Sequence, residues 1–289
     1  MGRPAARLTP EPPARLVRFE ATDGAMLSGL LYEPRRRTKS IVVWLHGTGG
    51  ASVFDSRRTN ALAAEFLERG LAYFPFNNRG AHVVRRVGGG LGGSAHELIK
   101  DCVHDIDGAL RELRRRGYTD VTLAGHSTGA NKVAVYDHYK PRNRVRRYVL
   151  LAGGDDTGLL HEQLGGRRVA ALMAKARLMV KAGRADELAP KQLLSWRAFL
   201  DMADPRGDYN VFPFAGVGRF RFLRAIRKPS LYVYGQRDEY IADIDAAMSM
   251  LSKNVAANGE IVVLSEADHG FGGREAELAE LMTAWIASR

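Results

Sequence analysis

One serine in the chain stands in a setting suited to attack on a carbonyl carbon: Ser127, within Gly125-His126-Ser127-Thr128-Gly129. A serine hydroxyl is a weak nucleophile until it is lifted clear of its neighbours and set beside a base, and a sharp strand-to-helix turn does the lifting. Gly125 and Gly129 let the backbone make that turn without a Cβ clash. A helix that starts at the serine also presents unpaired N–H groups and the positive end of its dipole, which favour negative charge nearby. His269 is the candidate base, taking the proton from Ser127 and returning it to the leaving group. Asp238 is the candidate acid, holding the imidazole tautomer and stabilising its cation. Asp155 and Asp156 compete with Asp238 for that role. Asp268 reads as a residue fixing the turn beside the base, and His126 as a packed side chain facing away from Ser127. The eight histidines form no His-x-x-x-His or Cys-rich cluster, so the pattern gives metal catalysis no support, and no cofactor is expected.

These side chains need a sheet to bring them together. Residues 121–124 are a short apolar run feeding the serine turn, and 131–139 are helical in pattern. Residues 40–45 form a nearly continuous apolar run, the mark of a strand covered on both faces. Further strands are expected over 71–76, 148–152, 230–234 and 260–264. Asp238 follows one of these and His269 another, so both fall at the carboxyl edge of a sheet, where ligands bind in open α/β folds. Residues 16–21 and 26–32 alternate around Asp23-Gly24 and predict an antiparallel hairpin. Helices are expected over 59–68, 241–254 and 275–287, and a long one from a capping box at Ser94 and Glu97 to about Arg116. The glycine-rich run 88–93 lacks the endings of a phosphate loop or a dinucleotide fingerprint, and reads as a mobile loop at a pocket mouth. From 158 to 228 the pattern changes to helix-like stretches at 169–182 and 191–202, then a Pro, Gly and aromatic-rich segment. That length is too great for a plain crossover and predicts a helical lid. Its apolar side, including Leu172, Met173, Leu178, Met179, Trp196, Phe199, Phe212 and Phe214, is expected to pack on the main domain and line the substrate pocket.

The chain has 289 residues, 45% of them hydrophobic, enough for one α/β domain carrying an insertion. A leader is expected over 1–15, the core over 16–157 and 229–289, and the lid over 158–228. The start has no apolar central stretch of a secretory signal, and no apolar run is long enough to cross a membrane. The single cysteine, Cys102, rules out an internal disulfide and fits a reducing compartment, so a cytoplasmic location is expected, with Cys102 buried on a helix. The formal charge is +11, but the basic residues are scattered at helix ends and loops with no nucleic-acid motif, so no nucleic-acid partner is expected. Arg79, Arg85 and Arg86 near the catalytic edge suggest an anionic group on the substrate.

Taken together, the His46-Gly47-Thr48-Gly49-Gly50, Gly125-His126-Ser127-Thr128-Gly129, Tyr234-Gly235-Gln236-Arg237-Asp238 and Ala267-Asp268-His269-Gly270-Phe271 stretches resemble the α/β-hydrolase superfamily over nearly the whole chain. A more distant likeness is to the fungal siderophore-ester hydrolases and uncharacterised bacterial relatives. The resemblance implies an α/β-hydrolase fold: a mostly parallel eight-stranded sheet, helices on both faces and a helical lid insertion. It implies an oxyanion hole formed by the backbone N–H groups of Thr48 and Thr128. Ester hydrolysis through an acyl-serine is the activity it implies, on a small-molecule ester, with Gly49, Arg79, Trp196, Phe212 and Phe214 as candidate pocket residues. Thioester or lactone cleavage and acyl transfer use the same triad, and a ligand-binding receptor that has lost turnover is the non-enzymatic alternative.

Overall fold

A computed structural model describes residues 12–49, 51–54, 57–190 and 193–289. The leader expected over 1–15 lies outside the described residues as far as 11, and Arg15 already opens the first strand. The main sheet is built from β1 (Arg15–Glu20), β2 (Met26–Leu31), β3 (Ser40–Leu45), β4 (Ala72–Asn77), β7 (Asp120–His126), β8 (Arg147–Leu151), β9 (Ser230–Arg237) and β10 (Gly259–Asp268). A separate hairpin joins β5 (Arg85–Val87) to β6 (Gly90–Gly92). The eight strands of the main sheet run in the order β1-β2-β4-β3-β7-β8-β9-β10. β1 and β2 form the expected antiparallel hairpin, β2 runs antiparallel to β4, and every pairing from β4 to β10 is parallel.

The helices are α1 (Arg57–Glu68), α2 (Cys102–Arg115), α3 (Thr128–Tyr139), α4 (Asp156–Leu164), α5 (Gly166–Lys181), α6 (Trp196–Ala203), α7 (Ile244–Ser252) and α8 (Glu275–Ala287). Pleating sends alternate strand residues to opposite faces, and both faces are apolar because both are covered. Ile41, Val43 and Leu45 join one core with Ile106 of α2, Val133 of α3 and Leu251 of α7, whereas Val42 and Trp44 join a second with Phe66 of α1 and Met282 of α8. The same split holds on β9, where Tyr232 and Tyr234 face the first core and Leu231 and Val233 the second. Cys102 is fully buried on α2, as expected for it. Among the described residues no helix is long and apolar enough to cross a membrane.

Between β8 and β9 the chain leaves the sheet for α4, α5 and α6, which pack on one another through Leu160, Val169, Ala176, Trp196 and Phe199. This insert starts at Asp156, two residues earlier than the change in sequence pattern. Its third helix begins at Trp196, where the Ser195 hydroxyl accepts from the Ala198 N–H at 3.3 Å. Residues 191–192, at the expected start of that helix, lie outside the described residues. The Ser195 N–H donates to the Ala95 carbonyl at 2.7 Å and ties the insert to the core.

Two local expectations are corrected. Glu97 does not close a capping box: α2 starts at Cys102 after a short 3-10 turn at Ile99–Asp101, and Glu97 is wholly buried against Lys132 Nζ at 2.7 Å. The glycine-rich run is no open loop either. Gly88 and Gly89 take φ of 57° and 85°, the backbone twist a two-residue hairpin turn requires. The hairpin is stitched to the preceding turn by the Gly93 N–H to the Arg79 carbonyl and the Ser94 N–H to the His82 carbonyl, both at 2.8 Å.

Candidate active site

Sheet register brings the candidate base and acid side by side. β9 and β10 are parallel with Arg237 opposite Asp268, so the next residue on each chain, Asp238 and His269, emerges at the same carboxyl edge. His269 Nδ1 lies 3.0 and 2.9 Å from the two Asp238 carboxylate oxygens. A carboxylate only accepts, so Nδ1 carries a proton. Asp238 is buried, and one of its oxygens accepts from the Tyr240 N–H at 3.1 Å, which fixes the carboxylate from below. The Tyr240 ring meets the His269 ring edge-on at 4.6 Å between centroids.

Ser127 sits one residue past β7, with φ of 57° and ψ of −132°, a conformation that non-glycine residues hold only where their surroundings enforce it. The enforcement is crowding by backbone. A Cβ on Gly125 would stand 2.1 Å from the Gly129 carbonyl oxygen, and one on Gly129 would stand 2.3 Å from the Leu45 oxygen. Gly125→Ala is therefore expected to destabilise the fold by at least the ~1–3 kcal/mol typical of overpacking. A urea melt within about 0.5 kcal/mol of the parent, inside the range of a neutral surface change, would show that the turn relaxes freely.

Ser127 and His269 line one cleft of about 570 Å³, together with Trp44, His46, Thr48, Gly49, His126, Asp156, Leu159 and Tyr240. Gly47 presses against the serine, since a Cβ there would fall 2.9 Å from Ser127 Cβ. The loop after β3 thus runs directly over the serine, with Thr48 on the cleft wall; Gly50 lies outside the described residues. Thr128 is the first residue of α3, where an N–H has no acceptor within the helix. His46 Nδ1 donates to the Gly47 carbonyl at 2.7 Å. Burial, reinforced by the Lys132 charge, pushes the His46 pKa down to about 3, so its ring is neutral and braces the loop.

The remaining candidate pocket residues are placed elsewhere. Arg79 turns inward, with Nη2 2.7 Å from Asp105 Oδ1 and 2.8 Å from Asp23 Oδ2. Three carboxylates consume its charge, Asp101 being the third at 3.5 Å, and it does not line the cleft. Trp196 is buried inside the insert, and Phe212 packs where a side chain at Gly153 would otherwise stand. Phe214 borders a smaller neighbouring pocket of about 180 Å³. Gly49 alone of the five candidates lines the cleft among the described residues, and Leu159 of α4 is the insert's contribution beside Asp156.

The remaining sequence candidates near the serine are also placed. His126 does not turn away: its ring stacks on Trp44 with 6.4 Å between centroids, and Nε2 donates to the His269 carbonyl at 2.7 Å. The rival acids are also separated. Asp155 caps α4 and holds the segment after α6, accepting from the Gly158 N–H at 2.7 Å and the Ala215 N–H at 2.8 Å. Asp156 faces the cleft, with one oxygen accepting from the Thr128 hydroxyl at 2.8 Å. Among the described residues no cluster of three or more His, Cys, Asp or Glu side chains could hold a metal ion.

A family model described as the Alpha/beta hydrolase family matches residues 42–281. The chain belongs to that family. Three solved structures share its fold at low sequence identity. Est1E from Butyrivibrio proteoclasticus with ferulic acid bound is 16% identical with a TM-score of 0.65, over 94% of this chain and 98% of its own. A soluble variant of monoglyceride lipase from Saccharomyces cerevisiae, in complex with a substrate analog, is 17% identical with a TM-score of 0.65, over 100% and 99%. An esterase from Pyrococcus furiosus is 16% identical with a TM-score of 0.64, over 99% and 96%. No curated protein matches the sequence significantly.

Proposed function

We propose that the protein hydrolyses carboxylic esters through an acyl-serine intermediate. The observation that carries this reading is the pair of hydrogen bonds from His269 Nδ1 to Asp238 beside a cleft that also holds Ser127. In the proposed cycle Ser127 Oγ attacks the ester carbonyl carbon as His269 Nε2 takes its proton, and Asp238 stabilises the resulting imidazolium. The Thr48 and Thr128 N–H groups receive the oxyanion. Collapse breaks the bond to the alkoxy oxygen, which leaves as the alcohol with the proton from His269. Water then enters, gives its proton to His269 and attacks the acyl carbon, and Ser127 leaves with that proton as the acid product is released. Two of the solved structures named above are called an esterase and a monoglyceride lipase, which supports the ester as the bond attacked. The helical insert serves as a lid in this reading, with α4 walling the cleft through Leu159.

The direct test is chemical labelling. A fluorophosphonate is expected to add to Ser127 in a single stoichiometric event, read by mass spectrometry of the peptide containing it. Absence of adduct at Ser127 with the protein folded removes the nucleophile assignment.

A further inference from the structure

The charge of the cleft is the reverse of what the basic composition suggests. Among the described residues lining it there is no lysine or arginine, and Asp156 is the one carboxylate. Arg79 is withdrawn into its own carboxylate cluster, and Arg85 and Arg86 belong to the hairpin, outside the lining. An anionic substrate group would meet the Asp156 carboxylate here with no lysine or arginine among the described lining residues beside it.

Asp156 is held in place but only half used. Its Oδ2 accepts from the Thr128 hydroxyl at 2.8 Å and more weakly from Asn131 Nδ2 at 3.3 Å. Those two contacts fix the carboxylate next to the residue that follows Ser127. Its Oδ1 lies beside Gly154, 3.3 Å from where a Cβ there would stand, and accepts from no donor among the described residues. Glycine at 154 therefore keeps the space over that oxygen open. Burial pushes the Asp156 carboxyl up to about 6, with the Thr128 hydrogen bond opposing and Asp155 adding to the rise, while the more distant Lys132 and His269 pull it back. At pH 7.5 it is mostly ionised, with one oxygen free of protein donors among the described residues at the wall of the cleft.

We infer that Asp156 is a specificity residue: the cleft takes esters that carry a hydrogen-bond donor, an ammonium or a hydroxyl, close to the ester bond, and Asp156 Oδ1 receives it. This rests on the ester-hydrolase reading and adds the substrate class. A carboxylate that gains a charged donor gains more than one that gains a neutral donor. Discrimination by a site built to hydrogen-bond is accordingly larger than discrimination by apolar fit.

The experiment uses the whole protein and ethyl esters of one four-carbon acyl skeleton: unsubstituted, 3-hydroxy, 3-amino and terminally carboxylated. A second set of butanoate esters varies the alcohol among propanol, ethylene glycol, dimethylaminoethanol and choline. Relative kcat/KM is measured at pH 7.5 by titrating released acid. A donor-bearing ester in at least one set is expected to exceed its plain partner by about 10- to 100-fold, the worth of a hydrogen bond to a charged group. The carboxylated ester is expected to fall below the plain one. Choline, which carries charge without a donor, separates simple charge attraction from hydrogen bonding, and preference for it over both donor-bearing alcohols overturns the inference.

Asp156→Asn is then compared by its ratio of donor-bearing to plain ester, which does not depend on its overall rate, and that ratio is expected to drop at least fivefold. Wild-type ratios near one in both sets, or an unchanged ratio in Asp156→Asn, also overturn it. If that variant fails to fold, the wild-type ratios alone decide. If plain esters turn over without any donor preference, the specificity inference fails and the hydrolase reading stands. If no ester turns over and Ser127 takes no label, both fail; if Ser127 labels but no ester in either set turns over, the inference alone falls.

Discussion

Ser127→Ala is expected to lower kcat/KM for a short acyl ester by about 10⁴- to 10⁶-fold, the range seen when a serine acting with its histidine is removed. The size of the loss follows from what remains. Without Oγ no acyl-enzyme can form, and His269 has no hydroxyl to deprotonate. In the proposed cycle only the Thr48 and Thr128 N–H groups would still act on the carbonyl, and such donors leave a residual acceleration over water. The fold should survive, because the backbone at 127 is imposed by Gly125, Gly129 and the β3 loop and not by the hydroxyl. Matching thermal melts with parent-like secondary structure are therefore part of the expected result. Turnover within tenfold of the parent, in a sample free of contaminating esterase, would remove Ser127 from the chemistry.

The second large effect is on stability. Lys132 on α3 and Glu97 are both fully buried, with Nζ and Oε1 2.7 Å apart, and Lys132 also donates to Asn78 Oδ1 at 3.1 Å. Glu97 occupies the room left by Gly80, where a Cβ would fall against its carboxylate. Burial pushes the Glu97 carboxyl up and the adjacent Lys132 charge opposes the rise. Removing one partner leaves the other as an uncompensated charge in the interior. Glu97→Ala is expected to cost about 3–5 kcal/mol and to lower Tm by roughly 6–20 °C. The double variant Glu97→Leu with Lys132→Met removes both charges and should recover most of that loss, since well-packed apolar replacements of buried pairs are often neutral. A Glu97→Ala melt within about 1 kcal/mol of the parent, the range of an exposed pair, would mean that water reaches Lys132 and the pair is not sealed.

How far the sequence could be read depended on whether the deciding contact was local. Ile41 to Leu45 reads as a doubly covered strand because every residue is apolar, and the structure sends alternate members to the two cores. Asp238 and His269 could be assigned to one edge because each closes a strand, and the ladder pairs the residues just before them. The Gly88-Gly89 hairpin was also local, two glycines between short runs of extended chain; treating the run as one flexible loop missed the turn. Glu97 could not be read in this way. Three residues after a serine and ahead of a helix it satisfies a capping pattern, and its true partner is 35 positions away on α3. Arg79 misled for a similar reason, since a charge in a turn reads as solvated until Asp105, Asp23 and Asp101 are placed around it. His126 shows the limit of strand alternation: side-chain direction at the last residue of β7 no longer fixes its neighbours, because the loop after β10 folds back over it.

That backfolding bears on how the machinery withstands motion. The His126 ring is clasped between Trp44 and the carbonyl of His269, so the segment bearing His269 is fastened to the strand that leads into Ser127. If α5 and α6 move as the proposed lid, this clasp is left untouched, because neither helix supplies a residue to it. On the proposed reading, admission and chemistry would then be separable, and substitutions in α5 and α6 would alter the first while leaving the second in place.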